Sequence, residues 1–211
     1  MFEHLFAAHR TTGLKICLKP VRSASLYVMT GHRNPYYVVP FRNYMFKEIE
    51  QYKQVFGVPA RLPSNGERVL SQPGTIRAQS FLAHIQLKHP EWLEVTSRFL
   101  WKRLWVQDKS LLEEEDFKEV ISELSLPSTI PLKPDFDSLS KLKANETEAV
   151  KAGAFATPFC IVDNEFESAG YHGVDRWPIV AKQAGLDKVH RGFYSLKVFN
   201  HLFDKALEAS G

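Results

Sequence analysis

Apolar positions along the chain follow two rhythms, one of period two and one of period near 3.6. Residues 2–9 are short and amphipathic and predict a helix that Gly13 ends. Leu14-Lys-Ile-Cys-Leu-Lys19 then alternates, which predicts a strand stopped by Pro20. Residues 21–40 read as loop, with Gly31-His-Arg-Asn-Pro35 as the turn cluster. Met45, Ile49, Tyr52 and Phe56 share one helical face, closed by Gly57 and Pro59. A helical block follows. Ala78, Leu82 and Ile85 form one stripe and Trp92, Val95 and Phe99 another, with His89-Pro90 breaking between them. Residues 111–124 and 136–151 read as further helices, separated by the proline-bearing segment 127–134. Leu196, Phe199, Phe203 and Leu207 predict a final helix over 193–208.

The richest segment runs from Gly153 to Pro178. Thr157-Pro158 abuts the apolar run 159–162, and proline belongs at a strand's first residue, where it also permits a cis turn. Asp163-Asn164 supplies turn chemistry, and residues 165–170 can return as a second strand. After Gly173, Asp175 reads as an N-cap, with Arg176 and Trp177 opening a helix. Pro-led strand, hairpin and capped helix in that order make the closing half of a thioredoxin-like fold. The backbone before a cis proline suits an extended peptide. A helix start suits a carboxylate, and an Asp beside it suits an ammonium group. A γ-glutamyl group carries both charges on one carbon, so glutathione satisfies all three.

Composition narrows the picture by exclusion. The net charge of +3 on 211 residues is too small to predict nucleic-acid binding. No apolar run approaches the ~20 residues of a membrane helix. The start and end carry no secretory, mitochondrial or peroxisomal signal. Cys17 and Cys160 lie far apart in apolar runs and read as packed thiols, and the absence of Cys-x-x-Cys excludes dithiol redox chemistry. Eight histidines are scattered without ligand spacing, so no metal site is expected. Lys88, Arg98, Lys102 and Arg103 read as a solvated face beside the packed Trp101 and Trp105. Glu113-Glu-Glu-Asp116 reads as an acidic first turn of a helix.

Several motifs, in order, resemble the kappa class of glutathione transferases, a family grouped with DsbA-like enzymes and glutathione-dependent 2-hydroxychromene-2-carboxylate isomerases. They are Phe2-Glu3, Leu18-Lys-Pro20, Gly31 to Pro40, Phe81-Leu-Ala, His89-Pro-Glu-Trp-Leu-Glu, Phe99-Leu-Trp-Lys-Arg-Leu-Trp105, Glu146-Thr-Glu-Ala, Gly153-Ala-Phe-Ala-Thr-Pro158 and Gly173-Val-Asp-Arg176. The resemblance implies an α/β, thioredoxin-like fold with an inserted all-helical, DsbA-like domain and its first strand missing. The division expected is 1–57 and 152–211 for the thioredoxin-like domain and 58–151 for the helical insertion. It also implies glutathione as substrate or cofactor, a small hydrophobic electrophile as second substrate, a homodimer, and a mitochondrial or peroxisomal location. Isomerase-like use of glutathione and a non-catalytic glutathione-binding scaffold are the alternatives.

By the same resemblance, Thr157 pairs its backbone with the cysteinyl part of glutathione ahead of Pro158. Val174 and Asp175 hold the γ-glutamyl group. Asn34 corresponds to a loop asparagine, with a one-residue slip that also admits His32 or Arg33, and Arg42 offers a cation to the glycyl carboxylate. The family's catalytic serine lies on the loop after the first strand, ahead of Met1, so no residue here is expected in its place. Ser23 and Ser25 follow the second strand and read as turn serines serving local backbone bonds.

Overall fold

The computed structural model describes residues 1–56, 59–64, 66–70 and 75–186. Gly57 and the predicted helix over 193–208 therefore lie outside the described residues. In chain order the helices are α1 (Phe2–Thr12), α2 (Ser23–Thr30), α3 (Val39–Phe56), α4 (Gly66–Leu70), α5 (Ile76–Lys88), α6 (Leu93–Trp105), α7 (Glu114–Glu123) and α8 (Phe136–Lys151). A hairpin of β1 (Phe159–Asp163) and β2 (Ser168–His172) follows, then α9 (Trp177–Gln183). The described residues are mostly helical, with this small two-stranded sheet.

Two apolar clusters hold it. In one, Phe81 and Ile85 of α5 meet Leu100 and Leu104 of α6 and Phe117 and Val120 of α7. The Phe81 and Phe117 rings lie 4.9 Å apart. In the other, Val162 of β1 packs with Ala8 of α1 and with Trp177 and Val180 of α9. The helical stripes predicted around Ala78 and Val95 thus join the first cluster, α3 forms where the Met45 pattern predicts a helix, and α8 has the bounds its sequence pattern suggests.

The hairpin is antiparallel, with Phe159 opposite His172 and Asp163 opposite Ser168. Its second strand starts at Ser168, three residues later than expected. Asn164 Oδ1 accepts the N–H groups of Phe166 (2.9 Å) and Glu167 (3.0 Å), and so lengthens the turn.

Leu14 to Lys19 departs from expectation in an instructive way. Residues 14, 16 and 18 are half-buried and 15, 17 and 19 exposed, as the alternation demands. Yet among the described residues ladder pairing joins β1 and β2 alone. Periodicity fixes which face a side chain takes, whereas a strand also needs a hydrogen-bonded neighbour. Here side-chain amides replace it. Gln86 Nε2 donates to the Leu18 carbonyl (2.9 Å), and Asn145 Nδ2 donates to the Pro20 carbonyl (3.0 Å) and to Gln86 Oε1 (2.8 Å). The exposed member Cys17 is correspondingly not the packed thiol expected, while Cys160 is half-buried.

Residues 23–30 form α2 where loop was expected. Leu26 is its one fully buried residue, and Val28 and Met29 face solvent, so no apolar stripe announces the helix. Its end at left-handed Gly31 and its packing against α8 set it instead.

The supposed solvated face of α6 is also different. Arg98 is buried against Glu3 (2.7 Å) and Glu94 (2.9 Å). Arg103, 2% exposed, reaches Glu119 (2.8 Å), Asp116 (3.2 Å) and the Ser110 carbonyl (2.9 Å). Their partners come from α1, α6, α7 and the turn before α7, and only the Arg98–Glu94 spacing of four is visible within one helix. The acidic run does open α7, where Glu113 and Asp116 form a capping box.

Asp135 caps α8. Its Oδ1 accepts the Ser138 N–H (2.8 Å), and Ser138 Oγ accepts the Asp135 N–H (3.0 Å). Asp135→Ala should lower the unfolding free energy by about 1 kcal/mol, and Asp135→Asn by a small fraction of that. Urea melts of both variants check the ranking, and equal losses would refute the cap as the cause.

Candidate functional site

The site begins at a buried carboxylate. Glu146 of α8, 1% exposed, accepts Arg22 Nε at 2.6 Å and Nη2 at 2.8 Å, the Arg22 N–H at 3.2 Å and Ser25 Oγ at 2.7 Å. Burial pushes this carboxyl toward a higher pKa, but the hydrogen bonds from Arg22 and Ser25 outweigh it and hold the pKa below the usual carboxylate range. A bidentate pair also fixes direction. Glu146 therefore anchors the start of α2 against α8 and positions Ser23, which follows one of its partners and lies two residues ahead of the other.

Ser23 Oγ lies 2.5 Å from Thr157 Oγ1. Neither Ser23 nor Ser25 serves a local backbone bond, contrary to the sequence reading. Both reach across more than a hundred residues, to Thr157 and to Glu146 respectively. The Thr157-Pro158 bond is cis, as the sequence suggested. Pro158 is exposed, and its carbonyl accepts the Gly173 N–H at 3.0 Å. That bond ties the Thr157-Pro158 segment to the turn carrying Val174 and Asp175.

Asp175 is not the N-cap expected for the following helix. Val174–Arg176 is a 3₁₀ turn, Arg176 precedes α9, and no side-chain cap forms. Proline at the second position of α9 leaves one N–H fewer to cap, so the turn continues into the helix without a carboxylate. The Asp175 carboxylate is exposed, lies over Gly173, and meets Arg176 Nη1 at 3.4 Å. Its charge also reaches Tyr52 of α3. Burial raises the pKa of that phenol, and the charges of Glu48 and Asp175 add to the rise.

Asn34 ties its own turn to the end of α4. Its Oδ1 accepts the Tyr36 N–H (3.0 Å) and its Nδ2 donates to the Leu70 carbonyl (3.2 Å). The Arg42 guanidinium stands 5.6 Å from the Tyr36 ring centre, within cation–π range. Asn34 and Arg42 are thus joined through Tyr36. His32, the alternative admitted by the one-residue slip, turns elsewhere.

A row of rings links these pieces. Tyr27 meets His32 at 5.3 Å, His32 meets Phe155 at 5.6 Å, and Phe155 meets His172 at 4.8 Å between ring centres. His32 is two residues from Asn34, Phe155 two from Thr157, and His172 three from Asp175. The row therefore brings all three predicted site segments together. Tyr27 and His32 are close in sequence, but Phe155 and His172 come from distant parts of the chain, so only tertiary structure reveals the row. The spacing of aromatic residues from the predicted ligands was the one available signal.

Beside Ser23 opens a cavity of about 500 Å³, bordered by Asn34, Met45, Leu82, Trp101 and Trp105 among others. Its size falls within the range of roughly 300–1,000 Å³ for small-molecule sites. Thr157, Asp175 and Arg42 are not on its wall. Ser23 and Asn34 touch both the cavity and the linked segments. No group of three candidate metal ligands occurs among the described residues.

The model of the DSBA-like thioredoxin domain matches residues 3–185. Glutathione S-transferase kappa 1 of Rattus norvegicus is 30% identical over 191 residues, covering 87% of this chain and 84% of the relative. The chain belongs to the kappa-class glutathione transferase family. Glutathione S-transferase kappa 1 of Homo sapiens is 23% identical over 189 residues, with the same two coverages of 87% and 84%. A solved structure of 2-hydroxychromene-2-carboxylate isomerase superposes with a TM-score of 0.70, covering 92% of this kappa-class chain and 91% of the isomerase at 14% identity. At that identity the likeness concerns the fold. No described helix is long and apolar enough to cross a membrane.

Proposed function

We propose that this kappa-class chain binds glutathione and joins its sulfur to a small hydrophobic electrophile. The observation that carries the reading is the contact among rings that flank three of the candidate segments, His32 beside Asn34, Phe155 beside Thr157-Pro158 and His172 beside Val174-Asp175. The relatives, glutathione S-transferases by name, supply the ligand class.

In this reading the cysteinyl backbone pairs with Thr157, and the γ-glutamyl ammonium group meets the exposed Asp175 carboxylate. Arg42 takes the glycyl carboxylate, while Asn34 shapes the loop that presents it. Arg42 and Tyr52, which feels Asp175, are ten positions apart on α3, about 15 Å along its axis. Charges placed at both ends of that span suit an extended tripeptide with ionic groups at both ends. The electrophile occupies the apolar cavity beside Ser23. There the thiolate attacks, a carbon–sulfur bond forms, and the leaving group departs with its electron pair.

Isothermal titration of the full chain with glutathione should show saturable binding. Asp175→Ala should weaken it by about tenfold or more, the cost of one hydrogen bond to a charged group. Unchanged affinity in that variant would sink the γ-glutamyl assignment. Turnover with a chlorodinitrobenzene-type electrophile separates the activities. Conjugate formation supports the transferase. Isomerisation of a chromene acid without net consumption of glutathione assigns cofactor use, and binding without either reaction assigns a scaffold.

A further inference from the structure

At 18 residues α3 is the longest helix described, yet none of its described side chains is fully buried. It packs chiefly on the Pro35–Tyr37 turn ahead of it. Its apolar positions nevertheless form one broad face. At 3.6 residues per turn, Tyr44, Val55, Phe41, Tyr52, Met45 and Ile49 fall within an arc of about 140°. Met45, Ile49 and Tyr52, on one side of that arc, are half-buried. The other side is open, with Phe41 63%, Tyr44 59% and Val55 57% exposed. A continuous apolar face left half uncovered marks a contact surface.

The chain continues past Leu186 for 25 residues that lie outside the described ones. Among them Phe193, Leu196, Phe199, Phe203 and Leu207 recur at helical spacing. Phe193 and Leu207 are fourteen positions apart, as are Phe41 and Val55, which is about 21 Å at the helical rise.

Register, charge and reach all select the antiparallel direction. The register that sets Phe41 against Leu207 also sets Met45 against Phe203, Ile49 against Phe199, Tyr52 against Leu196 and Val55 against Phe193. Run parallel from Phe41 on Phe193, the same spacing sets Lys47 against Phe199 and Gln51 against Phe203. Arg42 has no ion pair among the described residues. Antiparallel, it falls within a turn of Asp204 and Glu208, whereas parallel it falls within a turn of Arg191 and Lys197. The Asp175 charge reaches Tyr52, so the turn ahead of α9 lies by the second half of α3. From there α9 runs about 10 Å over its seven residues. Residues 187–192 can span up to about 20 Å, enough to bring Phe193 back to Val55.

We infer that residues 193–208 of this chain lie antiparallel along α3 and cover its open apolar face. The inference does not depend on the glutathione reading.

The test uses full-length variants in a Cys17→Ser background. Under mild oxidation Phe41→Cys with Leu207→Cys should close a disulfide within one chain, since facing helix positions come within disulfide reach. Phe41→Cys with Phe193→Cys should stay reduced. Closure of the second pair in place of the first overturns the antiparallel seating. Disulfides that join two chains make a second copy the occupant, and closure of neither pair leaves the face to another partner. Either result overturns the inference. Urea melts give a second reading that needs no cysteine. Phe41→Asp and Leu207→Asp should each lower the midpoint, and the double variant should fall no further than the larger single loss, because both remove one contact. Losses that add overturn the contact.

Discussion

Arg22→Met should cost this protein about 3–5 kcal/mol of unfolding free energy, more than removal of its partner. The asymmetry follows from burial. The Glu146 side chain is 1% exposed and that of Arg22 30%. Without Arg22 the carboxylate keeps Ser25 but cannot reach water, whereas without Glu146 the guanidinium can turn outward. Glu146→Leu should therefore lose less, about 2–3 kcal/mol, below the range for a fully stranded charge. The pH dependence differs in sign. In the wild type the folded pKa of Glu146 is depressed, so its contribution is present above the unfolded value of about 4.3 and lost as pH falls through the folded value. In Arg22→Met burial raises that pKa, so the penalty is fully developed at neutral pH and relieved on acidification. Urea melts at neutral pH and near pH 4 check both points. A gap between wild type and Arg22→Met that stays constant with pH would show that Glu146 does not carry the effect.

That network explains why the fold was more legible than the site. Helices such as α5 and α8 declare themselves through apolar stripes and proline breaks. The hairpin declares itself through Pro158 and Asp163-Asn164. These are local signals, readable a turn or a strand at a time. Leu14 to Lys19 shows the limit. Its alternation correctly separates inward from outward residues, but no local pattern reveals that Gln86 takes the Leu18 carbonyl and Asn145 that of Pro20. For α2 the limit is sharper. A helix with one buried residue has no stripe to read, and its ends and its contact with α8 decide it.

The candidate site was legible in its motifs and opaque in its chemistry. Thr157-Pro158, Val174 and Asp175 stand out because proline, glycine and their neighbours constrain the backbone. The resemblance to a known family supplied roles for them. Asn34 was found the same way, and its amide proves to be holding the loop through Tyr36 and Leu70. Ser23 was set aside because turn serines usually bond local backbone. Its real partner is 134 residues away. The same distance problem hides the ion pairs of Arg98 and Arg103, whose charges suggested a wet surface. Long-range polar pairing leaves no period in a sequence, and much of the site is built from it.

Gly173→Ala is the sharpest test of how the γ-glutamyl turn is built. Gly173 adopts φ 94 and ψ 154, a region open to glycine and costly for other residues by about 1–3 kcal/mol. A Cβ there would also overlap Asp175 Oδ1, which folds back over the glycine. The N–H of the same residue holds the Pro158 carbonyl. Relaxing the strain must therefore move the Asp175 carboxylate, the Thr157-Pro158 segment or both. Glutathione affinity should fall at least as far as in Asp175→Ala, about tenfold or more, together with a stability loss in the range above. Gly13→Ala is the matching control. Gly13 also has a positive φ, 74, but an added Cβ meets nothing within 4 Å, and it only ends α1. It should lose about 1 kcal/mol of stability and no affinity. Titration calorimetry beside urea melts of both variants separates backbone strain from displacement of the carboxylate. If Gly173→Ala binds glutathione as the wild type does, the turn is not where the γ-glutamyl group sits.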